Sequence, residues 1–205
     1  MPVASLNKLT VPLPGGGQSA SNQGMLMPKL KYRFRATFIN FGVTTPTTEL
    51  TKQVVDIKRP NVNFNPITID VYNSKVYLQG KPEWQETTVN LRDDATGAVS
   101  RLVGEQMQKQ FDFLEQASAP SGINYKFQLV YDILDGGNGA TAPTVLESWE
   151  LDGCFLSQVD YGEMDYKTSD PVQIACTIRF DNAIQTTGGG VGTTVATQTP
   201  GNSVN

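Results

Sequence analysis

The 205-residue sequence contains no histidine, and this absence excludes several kinds of chemistry. Histidine is the usual general base near neutral pH, and it activates the nucleophile of many serine and cysteine hydrolases. The two cysteines, Cys154 and Cys176, therefore lack the partner that completes a common zinc site, and two are too few for a disulfide framework. We predict that both are buried free thiols, with a cross-strand or intersubunit disulfide as the alternative.

Charged residues are also scarce. They make up 18% of the chain, compared with roughly 25% in an average soluble domain. The 16 basic and 20 acidic residues give a formal net charge of -4 and a sequence pI of about 4.8. Proteins that bind DNA or RNA tightly use clustered Lys and Arg, so the composition disfavours that function. The low charge fits a surface that is partly covered by other copies of the chain.

Long apolar runs are missing as well. No stretch approaches the roughly 20 apolar residues that span a bilayer. The first 27 residues have neither the basic segment nor the continuous apolar segment of a secretory signal. We therefore expect a protein that is made in the cytoplasm and has no membrane partner.

Composition divides the chain into three parts. Residues 1–27 are rich in Pro, Gly, Ser, Asn and Gln and carry one charge, Lys8, while residues 186–205 contain no charged or aromatic residue. Such segments bury too little apolar surface to fold alone, so both are predicted to be flexible arms. Residues 28–185 are predicted to form one folded domain.

Alternation of apolar and polar residues is the dominant pattern within 28–185, and it predicts strands. The clearest strand covers 172–180, where Val172, Ile174, Cys176, Ile178 and Phe180 alternate with polar or small residues. A two-stranded ribbon is predicted over 62–79, with a turn at 72–75. The other predicted strands cover 30–38, 50–57, 84–91, 125–133 and 145–155.

One helix is predicted between 93–96 and Pro120, because apolar residues recur there at steps of three and four. Its stripe consists of Val99, Leu102, Val103, Gln106, Met107, Gln110, Phe111 and Leu114. Asp93 and Asp94 are suited to the positive end of the helix dipole. Glu105 and Lys109 have the spacing of a stabilising pair on the opposite face.

Strands arranged around a single helix indicate a mostly-β (α+β) fold and not a parallel doubly wound one. We expect an antiparallel domain of the β-sandwich or barrel-like kind, with one main helix and a protruding β-hairpin.

The search for catalytic chemistry finds little. Asp160, Glu163 and Asp165 are the strongest candidates for a carboxylate or metal site, but their spacing matches no metal-binding loop. The glycine runs at 15–17 and 188–190 lack the Lys-Ser/Thr pair of a phosphate-binding loop. We therefore predict no catalytic residue, no metal site, no cofactor and no enzymatic activity.

Three stretches, taken in order, carry a family resemblance. The first is Gly-Lys-Pro-Glu-Trp at 80–84, after the ribbon. The second is the aromatic helix end Phe-Asp-Phe-Leu at 111–114, and the third joins 149–159, the acidic run 160–165 and the strand 172–180. Together, from Val62 to Ile184, they resemble the tail tube proteins of contractile-tailed bacteriophages, a family similar to the type VI secretion tube protein. The chain departs from the family pattern at Leu156, where that pattern has a proline within a turn.

The resemblance implies an assembly. Copies would form hexameric rings whose strands join into one inner β-barrel, and the rings would stack into a tube in the tail of a virion assembled in the host cytoplasm. Tail sheath, baseplate and tail terminator proteins would be its partners. The tape measure protein and DNA would pass through the lumen without sequence-specific binding during genome ejection.

Under this resemblance the ribbon would contact an adjacent ring. The predicted contact residues are Phe64, Ile67, Ile69, Val71, Tyr72, Val76, Tyr77 and Leu78. Two alternatives remain open. The chain could form the tube of a secretion system or an extracellular contractile injection system, or it could be a β-rich carbohydrate-binding or adhesin module. Trp84 and Trp149 lie within strand patterns, so we predict that they pack in the core and do not bind sugar.

Overall fold

The structure, a computed structural model, describes residues 28–44, 46–136, 142–186 and 190–192. The chain divides into two units, Met1–Arg33 and Phe34–Asn205, and the description that follows concerns the second. The predicted arm 1–27 lies outside the described residues, as does most of the predicted arm 186–205. The division into arms and a domain therefore stays a prediction.

Eleven strands and three helices are described, so the mostly-β prediction is confirmed. In chain order they are β1 (Phe34–Ile39), α1 (Thr48–Gln53), β2 (Val54–Ile57), β3 (Asn61–Val71), β4 (Ser74–Gln85), β5 (Thr87–Arg92), α2 (Ala98–Gln110), β6 (Phe111–Asp112), β7 (Ala117–Ser118), α3 (Gly122–Tyr125), β8 (Phe127–Leu134), β9 (Val145–Asp160), β10 (Gln173–Arg179) and β11 (Asn182–Gln185).

Seven strands form one antiparallel sheet in the order β1-β8-β9-β10-β5-β2, with β11 also paired to β9. The long strand β9 organises this sheet. Its first half pairs with β8, and β11 and β10 lie one after the other along its opposite edge, with Asn182 opposite Asp152 and Arg179 opposite Phe155. The described strands pair in one series with β1 and β2 at its ends, so they do not close into a barrel within one chain, and the predicted sandwich or barrel-like shape stays a prediction.

The two faces of the sheet differ in chemistry because successive side chains of a strand point to opposite sides. One face is apolar and packs with Val99, Leu102 and Val103 of α2 to form the core. Its most deeply buried strand residues are Val89, Leu91, Leu129, Tyr131, Leu151, Ile174 and Ile178. The other face, called here the open face, is mainly polar. It carries Arg35, Thr37, Thr88, Asn90, Gln128, Asp132, Glu150 and Thr177.

Helix α2 is shorter than predicted. It ends at Gln110, and Phe111 is extended with φ of -149°. The Asp112 carboxylate accepts hydrogen bonds from the backbone N–H groups of Glu115 (3.3 Å) and Leu114 (2.9 Å), which lower its pKa. These side-chain bonds compete with helical backbone bonds, so the chain turns into the short hairpin β6–β7. Phe111 and Leu114 therefore do not extend the buried stripe.

The start of α2 follows the prediction for Asp94. Its carboxylate accepts a hydrogen bond from the backbone N–H of Val99 (3.1 Å), one of the first helical residues. The Thr96 hydroxyl and this N–H are the main reasons why the pKa of Asp94 is lowered. Asp93 instead accepts a bond from the N–H of Asp94 (3.0 Å).

The predicted ion pair between Glu105 and Lys109 is wrong. Glu105 accepts hydrogen bonds from the N–H (2.9 Å) and hydroxyl (2.7 Å) of Thr44 and from the N–H of Val43 (3.0 Å), and these bonds lower its pKa. Lys109 Nζ donates to the carbonyls of Asn40 (3.0 Å) and Gly42 (2.9 Å). The polar face of α2 therefore holds the 40–44 loop, because that loop offers backbone groups that need partners.

Several predicted strand boundaries also differ. Residues 31–32 form a turn, so the first strand begins at Phe34, and residues 50–53 of the predicted strand 50–57 belong to helix α1. The helical turn α3 precedes β8, and Trp84 belongs to β4 rather than β5. Short apolar runs are ambiguous between helix and strand, which accounts for α1. Strand β9 continues to Asp160 through Leu156, where the family pattern has a turn.

The cysteines and tryptophans behave as predicted. Cys154 and Cys176 are buried free thiols, and burial raises the pKa of each to about 12. Trp149 stacks on Tyr131, with ring centroids 6.4 Å apart, and Trp84 lies 5.7 Å from Phe180. Both indole rings pack against the core.

Gln106 is a fully buried amide that joins three segments. Its Oε1 accepts the N–H of Gly42 (2.9 Å), and its Nε2 donates to the carbonyl of Tyr125 (2.7 Å). We expect Gln106→Leu to lower the free energy of unfolding by about 1–3 kcal/mol for each partner left without a hydrogen bond. Chemical denaturation would measure this. The control Gln108→Leu alters an exposed side-chain contact with Asp112. An equal loss in both variants would contradict the role of the buried amide.

Candidate assembly interface

Strands β3 and β4 form a two-stranded antiparallel ribbon, called here the ribbon, with a two-residue turn at Tyr72 and Asn73. At about 3.3 Å per residue it is roughly 35 Å long. Among the described strands, neither β3 nor β4 pairs with any strand but the other. A two-stranded ribbon is marginally stable in water by itself, so its outer part needs a partner.

One face of the outer ribbon is mainly aliphatic, with Ser74 beside Val71 at its tip. The register pairs Ile67 with Leu78 and Ile69 with Val76, and paired residues point to the same side. Val71 follows on the same side by alternation. These five side chains, called here the apolar ribbon face, are each 44–54% exposed. They form a continuous surface that the described part of the chain leaves half uncovered.

The opposite face of the outer ribbon is mainly polar. Thr68 pairs with Tyr77, and Asp70 pairs with Lys75, whose Nζ lies 3.5 Å from the Asp70 carboxylate. Tyr77 therefore points away from the apolar ribbon face, and Phe64, which alternates in step with Thr68 along β3, lies on the same side as Tyr77. Tyr72 is fully exposed at the tip with φ of 40°, a conformation that non-glycine residues rarely adopt.

A bulge separates the outer ribbon from its base. Phe64 pairs with Pro82 and Pro66 with Gln79, so Asn65 faces the two residues Gly80 and Lys81. A Cβ atom at position 80 would collide with the Asn65 carbonyl oxygen, so glycine is required there.

The bulge also changes which side of the ribbon is apolar. One extra residue in β4 shifts its alternation by one position, and this moves its apolar residues to the other face. At the base, Val62 pairs with Trp84 on the face opposite to the apolar ribbon face, and Trp84 contacts Phe180. The base of the ribbon therefore packs on its own subunit, while the outer part presents its apolar side elsewhere.

Ion pairs fix the base of the ribbon to the sheet. Arg179 of β10 lies 3.4 Å from Glu83 and 3.6 Å from Glu86. Arg59, just before β3, pairs with Glu147 at 3.0 Å, and the Glu147 side chain is nearly buried. These contacts set the direction in which the ribbon leaves the sheet.

The acidic and thiol side chains of the described ranges form no candidate metal site. No group of three or more His, Cys, Asp or Glu side chains there could hold a metal ion. Asp160 and Asp165, two of the three acidic candidates for a carboxylate or metal site, accept hydrogen bonds from the N–H groups of Gly162 (2.9 Å) and Lys167 (3.0 Å) as turn residues. Among the helices described, none is long and apolar enough to cross a membrane.

The fold described above is similar to that of chains in solved structures of contractile injection assemblies. A chain in a structure of the anti-feeding prophage cap, described as a tube terminating cap, superposes with a TM-score of 0.59 and 14% identity. The match covers 84% of this chain and 99% of that one. No protein-family model and no curated protein sequence matches the chain.

Two further solved structures contain similar chains. One is the six-fold symmetrised baseplate of the anti-feeding prophage, with a TM-score of 0.56, 11% identity and coverage of 78% of this chain and 97% of that one. The other is the sheath-tube complex of the PVC extracellular contractile injection system in its extended state, with a TM-score of 0.54, 12% identity and coverage of 77% and 90%. At these identities the likeness establishes a shared fold, which confirms the structural relationship that the sequence resemblance predicted.

Proposed function

We propose that the chain is a structural, non-enzymatic subunit of the tube of a contractile injection machine, and that its copies stack through the ribbon. The apolar ribbon face is the observation that carries this proposal. Five adjacent aliphatic side chains on an unsupported ribbon are costly in water, and covering them in an assembly recovers about 25 cal/mol per Å². The shared fold with chains of a tube cap and a sheath-tube complex supports the same function.

Ring formation would use the ends of the sheet. The edge strand β1 of one copy would pair with β2 of the next, so that hexameric closure leaves no free edge. The polar open face would then line the lumen, because α2 and the core cover the other face. The six-fold symmetry stated for the anti-feeding prophage baseplate is consistent with this arrangement.

The charges on the open face support a proposal for the cargo. The Arg35 guanidinium is paired with Asp132 at 2.7 Å, and Gln128 contacts the carboxylates of Glu150 and Asp152. Carboxylates therefore outnumber guanidinium groups in this region, and a wall of this kind repels a polyanion. We propose a phage tail tube through which the tape measure protein and DNA pass without sequence-specific binding, with sheath, baseplate and terminator proteins as partners.

A second candidate is the tube of an extracellular contractile injection system, in which the cargo is protein. The similarity to chains in the anti-feeding prophage and PVC structures favours it. The genes adjacent to the coding sequence distinguish the two, because a phage tail requires capsid and portal genes nearby. The carbohydrate-binding alternative is weakened because both tryptophans pack against the core.

Negative-stain electron microscopy of the purified full chain tests the proposal. We expect rings with a central hole, and stacked tubes at high protein concentration, because the apolar ribbon face becomes covered only in an assembly. Glycan-array binding by the same preparation serves as the comparison. Uniform monomers at every concentration, together with specific glycan binding, would overturn the tube proposal.

A further inference from the structure

A groove of about 600 Å³ opens where β1 ends, between the 40–48 segment and α3. Its apolar lining residues are Phe38, Ile39, Phe41, Val43, Pro46 and Ile123. Ile39, Val43 and Ile123 are among the exposed apolar side chains of the chain. Pockets of this size enclose compact apolar groups, so the groove has room for several aliphatic side chains.

The groove is preformed. Its floor is an aromatic cluster in which the Phe41 ring lies 5.3 Å from that of Phe38 and 4.9 Å from that of Phe127. Its wall is the 40–44 loop, which Glu105, Gln106 and Lys109 of α2 bind through backbone hydrogen bonds. Little ordering is required on binding when the receiving surface is already fixed.

We propose that this groove receives the apolar ribbon face of a second copy of the chain. The proposal rests on the tube function proposed above and names the surface to which the ribbon binds. The match is partly chemical, because the ribbon presents five aliphatic side chains at this face. The groove offers the exposed apolar side chains of Ile39, Val43 and Ile123, next to polar lining residues that include Asn40, Thr48 and Asn124. Burial of both removes two exposed apolar surfaces of the same chain from water.

The charges near the groove are compatible with this occupant. The groove is bordered by Lys109 and Lys126. Lys109 is bonded to two backbone carbonyls, and Lys126 is paired with the carboxylate of Asp181. An apolar ribbon that covers the groove therefore leaves both ammonium groups with hydrogen-bond partners, although only Lys126 has a carboxylate beside it.

The strand directions favour a head-to-tail contact. Each neighbouring pair in the sheet is antiparallel, so β1, which ends at the groove, runs parallel to β9, whereas β2, which leads into the ribbon, runs antiparallel to it. The groove and the ribbon therefore lie beyond opposite ends of the strands. A contact between two different surfaces of identical subunits can repeat without closing, which is what stacking requires.

Two variants and their mixture test the proposal. Val71→Asp places a carboxylate on the apolar ribbon face, and Ile123→Asp places one in the groove. Leu114→Asp is the matched control, since Leu114 is as exposed as Ile123 (87% each) but does not line the groove. We expect each of the first two to raise the critical concentration for stacking at least about 100-fold, and the control to stack as the native chain does.

The mixture distinguishes the groove from other ribbon partners. A ring of Val71→Asp chains keeps a native groove, and a ring of Ile123→Asp chains keeps a native ribbon. In an equimolar mixture the native ribbon of one ring can bind the native groove of the other. The mixture should therefore give stacked pairs of rings that grow no further. Circular dichroism and thermal melts establish that each variant is folded. If folded Ile123→Asp stacks normally while Val71→Asp does not, or if the mixture gives no pairs, the groove assignment falls and the tube function stands. If the native chain never assembles, both fall.

Discussion

Replacing Ile69 with aspartate is expected to yield a folded subunit that no longer forms stacked tubes. Ile69 is in the middle of the apolar ribbon face, paired with Val76 and 44% exposed in the single chain. A carboxylate buried there without a partner costs several kcal/mol per contact, and each 1.4 kcal/mol weakens association about tenfold. The fold should survive, because the side chain takes no part in the core. Sedimentation and electron microscopy would measure the loss of tubes.

The matched control for this variant is its neighbour. Thr68→Asp introduces the same charge one residue away, but on the polar face beside Tyr77. Stacking should remain close to that of the native chain if the apolar face alone makes the contact. Equal loss of tubes in both variants would instead indicate a general effect of charge on the ribbon, and it would contradict the assignment of one face.

Replacing Leu151 with alanine is expected to lower the free energy of unfolding by about 2–5 kcal/mol, through lost apolar burial and the cavity left behind. Leu151 is fully buried on β9, between Leu129 of β8 and Ala183 of β11. The loss is a large part of the roughly 5–15 kcal/mol that stabilises a typical domain. Thermal unfolding should occur on the order of 10 °C lower.

Leu146→Ala provides the comparison for this second variant. Leu146 lies on the same strand but is 44% exposed, so its truncation removes little buried surface. We expect a change within about 0.5 kcal/mol, as for most surface substitutions. A core that tolerated Leu151→Ala as easily as Leu146→Ala would mean that β9 does not organise the sheet.

Much of the fold could be predicted from residue patterns, because alternation of apolar and polar residues indicates directly which strand residues face a core. The cleanest pattern, 172–180, became β10 almost without change at Gln173–Arg179. The start and the turn of the ribbon were predicted closely, but its second strand was predicted to end at 79 and continues to Gln85. The strand predicted over 50–57 was partly wrong because a single buried residue, Leu50, is as compatible with a helical turn as with a strand. Helix α2 was overextended because Asp112 favours a turn through contacts that spacing does not reveal.

Only part of the candidate interface could be predicted from the sequence. The apolar residues of the ribbon were visible as a group, but their division between two faces depends on the pairing register, which a bulge at Gly80 and Lys81 changes. The groove could not be predicted, since it joins residues near 40, 109 and 123 that only the folded chain brings together. The role of Glu105, which holds the groove wall, was wrongly predicted for the same reason. Glu105 accepts a hydrogen bond from Thr44, which is distant in sequence, and does not pair with Lys109.

The bulge at Gly80 and Lys81 puts two groups of apolar side chains on opposite faces of the ribbon. One group packs on its own subunit, and the other is left half exposed. With an uninterrupted ribbon, the aliphatic side chains of β4 near the tip would continue the side that packs Trp84 against Phe180, and the hairpin could fold down onto its own subunit. The extra residue places these side chains on the opposite face, so the described part of an isolated chain leaves the apolar ribbon face half exposed. Under the proposed function, each subunit keeps this apolar surface exposed until a neighbour covers it, so one extra residue in β4 favours assembly over folding of the ribbon onto its own subunit.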